Sequence, residues 1–174
     1  MLNRMIGAAL LRFSTYEDVE NDSGATLQAL LVVVIVAIAS GIGGILSGDG
    51  DIVRGLIFGV FRGVVTWSVW ALMALLVGAT LLKTADTHAD WGQLARGTGF
   101  AQSPGVLNIL VFIPQVGTVI TTLVFFWQWA GMVISARQCL DYTSTLRAFF
   151  VILLAAIPVF IINIIVFWML NIGG

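Results

Sequence analysis

Four carboxylates fall close together at Glu17, Asp18, Glu20 and Asp22, a cluster that could in principle supply paired acids for general acid and base work. No histidine or metal ligand adjoins them in the sequence. They precede a long apolar run, where negative charge complements the positive end of a helix dipole, so they read as a solvated acidic run. His88 stands in a polar loop between Asp86 and Asp90 and reads as an ordinary exposed histidine. Cys139 is the only cysteine, and a disulfide needs two. A lone histidine likewise falls short of the usual ligand count of a metal site. The polar residues inside apolar runs are Asn108, Gln128 and Asn163. Such side chains bond one membrane helix to another for about 0.6 to 2 kcal/mol. Arg62 borders an apolar run and is expected to snorkel to an interface. Trp127 and Trp129 are expected to pack among neighbouring aromatics. With no reactive group at membrane depth, an enzyme is not expected, and no catalytic residue, cofactor or metal is assigned.

The elements that must position these residues are membrane helices. The chain is 59% hydrophobic and 10% charged, against roughly a quarter charged in a soluble domain, and its mean hydropathy is +1.03. A formal net charge of -1 offers no basic surface for phosphates, which excludes nucleic-acid binding. A crossing helix needs about 20 apolar residues. Residues 27–46, 63–82, 117–135 and 148–170 meet this, with Asp22 or Ser23 placed to cap the first. A fifth stretch, 97–113, is short and carries Pro104, and it stops at Pro114. If it crosses, with the amino terminus inside, Arg4, Arg12, Lys83, Arg96, Arg137 and Arg147 lie inside and Arg54 and Arg62 outside. If it dips and returns, the division is even. Basic residues collect in cytoplasmic loops, so five crossings are expected, with a cytoplasmic amino terminus and an extracytoplasmic carboxyl terminus. A broken helix at that depth has to be buried among its neighbours.

The expected fold is thus an all-α integral membrane protein. It is a five-transmembrane-helix bundle with a short amino-terminal interfacial amphipathic helix and a short, proline-broken third helix. Residues 1–26 form the cytoplasmic amphipathic and acidic segment, and 27–174 the membrane domain. Met5, Ile6, Ala9, Leu10 and Phe13 share one helical face and Arg4 and Arg12 another, as in a helix lying on the membrane surface. Residues 52–62 are expected to extend the second span. Trp67, Trp70 and Trp168 fit an aromatic belt. Gly55, Gly59 and Gly63 recur every fourth residue, which permits close helix packing. Gly41 and Gly44 are the candidate partners at the end of the first span.

The order of parts resembles the Yip1 domain family. The likeness covers nearly the whole chain: YEDVENDSGATLQALLVV, two spans, RGTGFAQSPGVL, IPQVG, then ARQCLDYTSTLRAFFVILL. Gly99, Phe100, Pro104, Pro114 and Gly117 look like the family's core element. The resemblance implies five spans with the amino terminus in the cytoplasm. Eukaryotic members act in vesicle traffic and associate with Rab GTPases through a long amino-terminal region. Here only about 26 residues precede the first span, so a Rab-type GTPase partner is not expected and the compact prokaryotic form is the better match. The expected function is a non-enzymatic scaffold, organiser or trafficking-like factor in a bacterial cytoplasmic (inner) membrane. It would work through helix contacts with lipids, a membrane-protein partner or itself. The alternatives are a small transporter or channel with a cavity at the broken third helix, and an accessory subunit of a larger membrane complex.

Overall fold

A computed structural model describes residues 1–48 and 52–172, with the side-chain surroundings of 52–55, 166, 167 and 169–172 outside the description. Over the described residues the secondary structure is helical: α1 (Leu2–Ala9), α2 (Phe13–Asn21), α3 (Ala25–Leu46), α4 (Ile52–Leu76) continued by a π segment (Val77–Leu81), α5 (Trp91–Ala101) continued by a 3-10 segment (Ser103–Leu110), α6 (Gly117–Cys139) and α7 (Thr145–Ile172). Among the described residues, four stretches are long and apolar enough to cross a membrane: Ala25–Leu46, Leu56–Leu81, Gly117–Cys139 and Thr145–Ile165. Residues 52–62 do extend the second of these, because no proline or cap separates them from it. The stretch 97–113 divides instead. Pro104, in the first turn of the 3-10 segment, lacks the N–H that a continuing α-helix would need.

Close approaches between helices fix their directions. Gly41 lies against Leu56 and Gly63 against Ala37, so α4 runs antiparallel to α3. Gly99 meets Ala29, Gly105 meets Val36 and Gly43 meets Asn108; the unit of α5 and the 3-10 segment therefore runs parallel to α3. Gly97 meets Ser135, Gly131 meets Ala101 and Gly105 meets Gln128, which makes α6 antiparallel to that unit. Tyr142 donates to Gly78 O and Leu82 O, so α7 starts where the π segment ends. One end of the bundle thus gathers the starts of α3, α5 and α7 with the ends of the π segment and α6. Alanines and glycines line these crossings, including the fully buried Ala25, Ala29, Ala71, Ala74, Ala95 and Ala155, because small residues let backbones approach closely.

Two expectations need correction. Trp67 and Trp70 are 5% and 9% exposed, so they belong to the core and not to an aromatic belt. The Trp67 indole N–H donates to Ala95 O at 2.9 Å, and Trp70 packs edge-on against Trp129 at 5.9 Å. An indole that finds a carbonyl partner loses its reason to seek the interface. Trp168 is exposed. The amino terminus is also not a single helix carrying Arg4 and Arg12 on one face. Leu11 adopts φ 56°, a left-handed turn that ends α1 and leaves Arg12 at the start of α2.

Candidate functional site at the hairpin and bundle junction

The α1–α2 hairpin is the part of the molecule that sequence reasoning missed. Its two helices approach so closely that a Cβ on Gly7 would collide with Thr15. Met5, Ala8, Tyr16 and Val19 are buried against the bundle, while Leu2, Ile6, Leu10 and Phe13 stay exposed. The Tyr16 hydroxyl donates to Ala8 O, and the Trp127 indole N–H donates to Ala9 O at 2.6 Å. Trp127 lies midway along α6, so the turn of the hairpin descends to that level.

The acidic run is held, not merely solvated. Arg4 pairs with Asp18 at 2.7 Å and Asp22 at 2.8 Å, and its bond to Asp22, followed by the Gly24 N–H, keeps the Asp22 carboxyl below the usual carboxylate range. Asp22 also accepts the Gly24 N–H; Gly24, without a side-chain cap, precedes α3. Glu20 is 8% exposed. Burial, followed by the charge of Asp141, pushes its carboxyl up to about 7, with Glu17 and Asp90 adding to the rise and Arg96 opposing it. The amide of Gln93 reaches Glu20 at 3.4 Å.

Arg96 carries the junction. It lies on α5, whose start is fixed by Asp90: the carboxylate accepts the Gln93 N–H while the Gln93 side chain accepts the Asp90 N–H, a reciprocal cap that satisfies two free donors. From there the buried guanidinium donates to Val19 O at 2.9 Å, to Glu20 O and to Thr26 Oγ1. Val19 and Glu20 sit in the last turn of α2, where carbonyls have no helical partner and a cation complements the dipole. The three acids of α2 crowd that same negative end, so the helix depends on Arg4 and Arg96. Cys139, fully buried, donates to Gln93 O.

The intramembrane amides are placed as follows. Gln128 donates to Gln102 O at 3.1 Å and Asn163 to Val159 O at 2.9 Å. Asn108 donates to Ser40 Oγ at 3.3 Å, and its Oδ1 is buried without a partner among the described residues. Asn108 O occupies the place a Gly43 Cβ would take, so the main chains of α3 and the 3-10 segment are in direct contact there. Gly59 faces open space, Gly44 is half-buried, and the surroundings of Gly55 lie outside the described residues. Of the family-like element, Gly99 meets Ala29 and the Trp67 indole, Gly117 abuts Val111 O, and Phe100 and Pro104 are buried, whereas Pro114 is exposed. Arg62 is exposed and His88 lies in the exposed loop. Trp129 stacks obliquely on Phe125 at 5.8 Å. Comparison with protein-family models, with curated proteins and with solved structures returned no match.

Proposed function

We infer that the chain is a non-enzymatic membrane organiser built as five crossings, in which α5 and the 3-10 segment together supply the third. The supporting observation is the parallel course of that unit beside α3. Eleven α-helical residues and eight 3-10 residues extend about 16 Å each, and their sum matches a hydrocarbon core of about 30 Å. In this reading Arg4, Lys83, Arg96, Arg137 and Arg147 share the end of the bundle at which α3, α5 and α7 begin. The excess of cations makes that end cytoplasmic, and the carboxyl terminus then lies outside a bacterial inner membrane. The α1–α2 hairpin enters from the cytoplasmic face, its turn reaching the level of Trp127, with the exposed Leu2, Ile6, Leu10 and Phe13 toward lipid. This course is also the one expected from the Yip1-like order of motifs.

An organising role is favoured over transport because Gln128 and Asn163 spend their hydrogen bonds on the chain's own carbonyls, and because backbone contact at Gly43 and Asn108 leaves no passage between α3 and the 3-10 segment. The outward faces of α4 and α6, with Phe61, Leu123 and Phe126 exposed, are left for lipids, a membrane partner or a second copy. Native mass measurement after extraction in mild detergent tests this. A stoichiometric membrane partner or a homo-oligomer is expected. Gly59→Leu, which fills only open space within the chain, is expected to weaken that assembly without lowering stability. A lone monomer for the wild type, or full assembly in Gly59→Leu, contradicts the reading of this face.

A further inference from the structure

At the end of the bundle where α7 begins, a groove of about 260 Å³ is lined by Leu82, Ser144, Leu146, Arg147 and Phe150. Its walls are fixed by Tyr142, a buried residue whose hydroxyl donates to Gly78 O at 2.8 Å and Leu82 O at 2.9 Å. The π segment displaces the usual helical bonding and frees carbonyls at just this place. Tyr142 therefore ties the end of the π segment that continues α4 to the turn that opens α7, and the groove is the space between them. Its floor is apolar. At its rim, the Arg147 guanidinium lies over the Tyr142 ring at 5.7 Å and makes no ion pair among the described residues. The Ser144 oxygen accepts the Arg147 backbone N–H, and its hydroxyl has no acceptor among the described residues. Lys83, exposed and without an ion pair among the described residues, follows Leu82 in the chain. Asp141, on the same turn, makes no ion pair with Arg147 among the described residues.

We propose that this groove binds an anionic phospholipid of the cytoplasmic leaflet, its phosphate at Arg147 and Ser144 and an acyl chain along Leu82, Leu146 and Phe150. The argument is one of paired chemistry. A cation above an apolar floor, at the ends of two membrane-length helices, matches a molecule that is anionic at one end and hydrocarbon at the other. A planar guanidinium recognises phosphate through two parallel N–H bonds. Lys83 adds attraction to the anionic surface. The inference rests on the five-crossing reading, because Leu82 and Arg147 meet at one membrane face only if α5 and the 3-10 segment cross between them; the sidedness of Ala85 and Thr143 tests that reading separately from lipid retention.

The test uses the full chain, reconstituted from equimolar phosphatidylglycerol and phosphatidylcholine, with retained lipid counted by native mass spectrometry. The wild type is expected to retain phosphatidylglycerol preferentially. Arg147→Gln is expected to lower that preference about fivefold, the effect of one cation near an anionic surface, and Arg147→Lys to restore part of it. Arg62→Gln, which removes an exposed cation elsewhere, is expected to leave it unchanged. Millimolar inorganic phosphate is not expected to displace the lipid. Equal retention of the two lipids by the wild type, an unchanged preference in Arg147→Gln, an equal loss in Arg62→Gln, or displacement by free phosphate would each overturn the assignment. The wild-type measurement decides even if Arg147→Gln fails to fold.

Discussion

Replacing Arg96 with leucine is expected to cost about 3 kcal/mol and to free the amino-terminal hairpin from the bundle. Leucine suits an interior position, so the loss falls on what the guanidinium holds: the carbonyls of Val19 and Glu20 and the Thr26 hydroxyl. A hydrogen bond to a charged group contributes about 1.5 to 3 kcal/mol, and a buried acceptor left unpaired costs about 1 to 3. Several acceptors lose their donor at once, offset in part by no longer burying a charge. Hydrogen exchange at residues 13–21 is the direct readout. Arg96→Lys keeps the charge but not the fork, and it is expected to fall between. Unchanged protection in Arg96→Leu would remove the clamp from the account.

Acid and base act on the same junction with a defined sign. The Glu20 carboxyl titrates at about 7 in the folded chain, against an ordinary value of 4.5. The folded state therefore binds more protons between those values. The contribution of Glu20 is fully present below pH 4.5 and is lost as pH rises through 7. Hairpin protection is expected to decline across that window in the wild type and to be flat in Glu20→Gln.

Gly43→Leu is the second large effect, a loss of about 3 kcal/mol or more. A Cβ at Gly43 would meet Asn108 O, with Asn108 C and Ile109 O both at 3.3 Å. These are main-chain atoms, which cannot rotate away, so the side chain can fit only if α3 and the 3-10 segment separate. Overpacking a close-packed interior ordinarily costs 1 to 3 kcal/mol, and a backbone obstacle puts this site at the upper end. Denaturant or thermal unfolding in detergent checks it. A loss below about 0.5 kcal/mol would mean that the two backbones are not in contact.

The four membrane-length helices were legible because hydrophobic run length alone determines them. The 97–113 stretch was legible as an interruption, but the fit of the 3-10 segment depends on Gly105 lying against Val36 and Gln128, which one stretch of sequence does not reveal. The α1–α2 break was missed because Leu11 carries no turn signal; a glycine there would have announced it. The spacing of Tyr16 and Val19, three residues apart, was the available sign that α2 buries a face. Arg96 was read only as a cytoplasmic charge. Its partners are backbone carbonyls 76 and 77 residues away in sequence, and carbonyls carry no side-chain signature. Trp67 and Trp70 were misread for a related reason: membrane-interface composition is an average, and the Ala95 carbonyl that satisfies Trp67 is supplied by tertiary contact.

The crossing of α5 and the 3-10 segment is tested most directly by sidedness. In a Cys139→Ala background, single cysteines would be placed at the exposed positions Ala85, Gln115 and Thr143 and treated with a membrane-impermeant maleimide, on intact cells and after permeabilisation. Five crossings predict that Gln115→Cys is labelled from outside, whereas Ala85→Cys and Thr143→Cys react only once the membrane is opened. Labelling of Thr143→Cys from outside, with Ala85→Cys and Gln115→Cys both protected, would mean that the segment turns back and that the chain crosses four times.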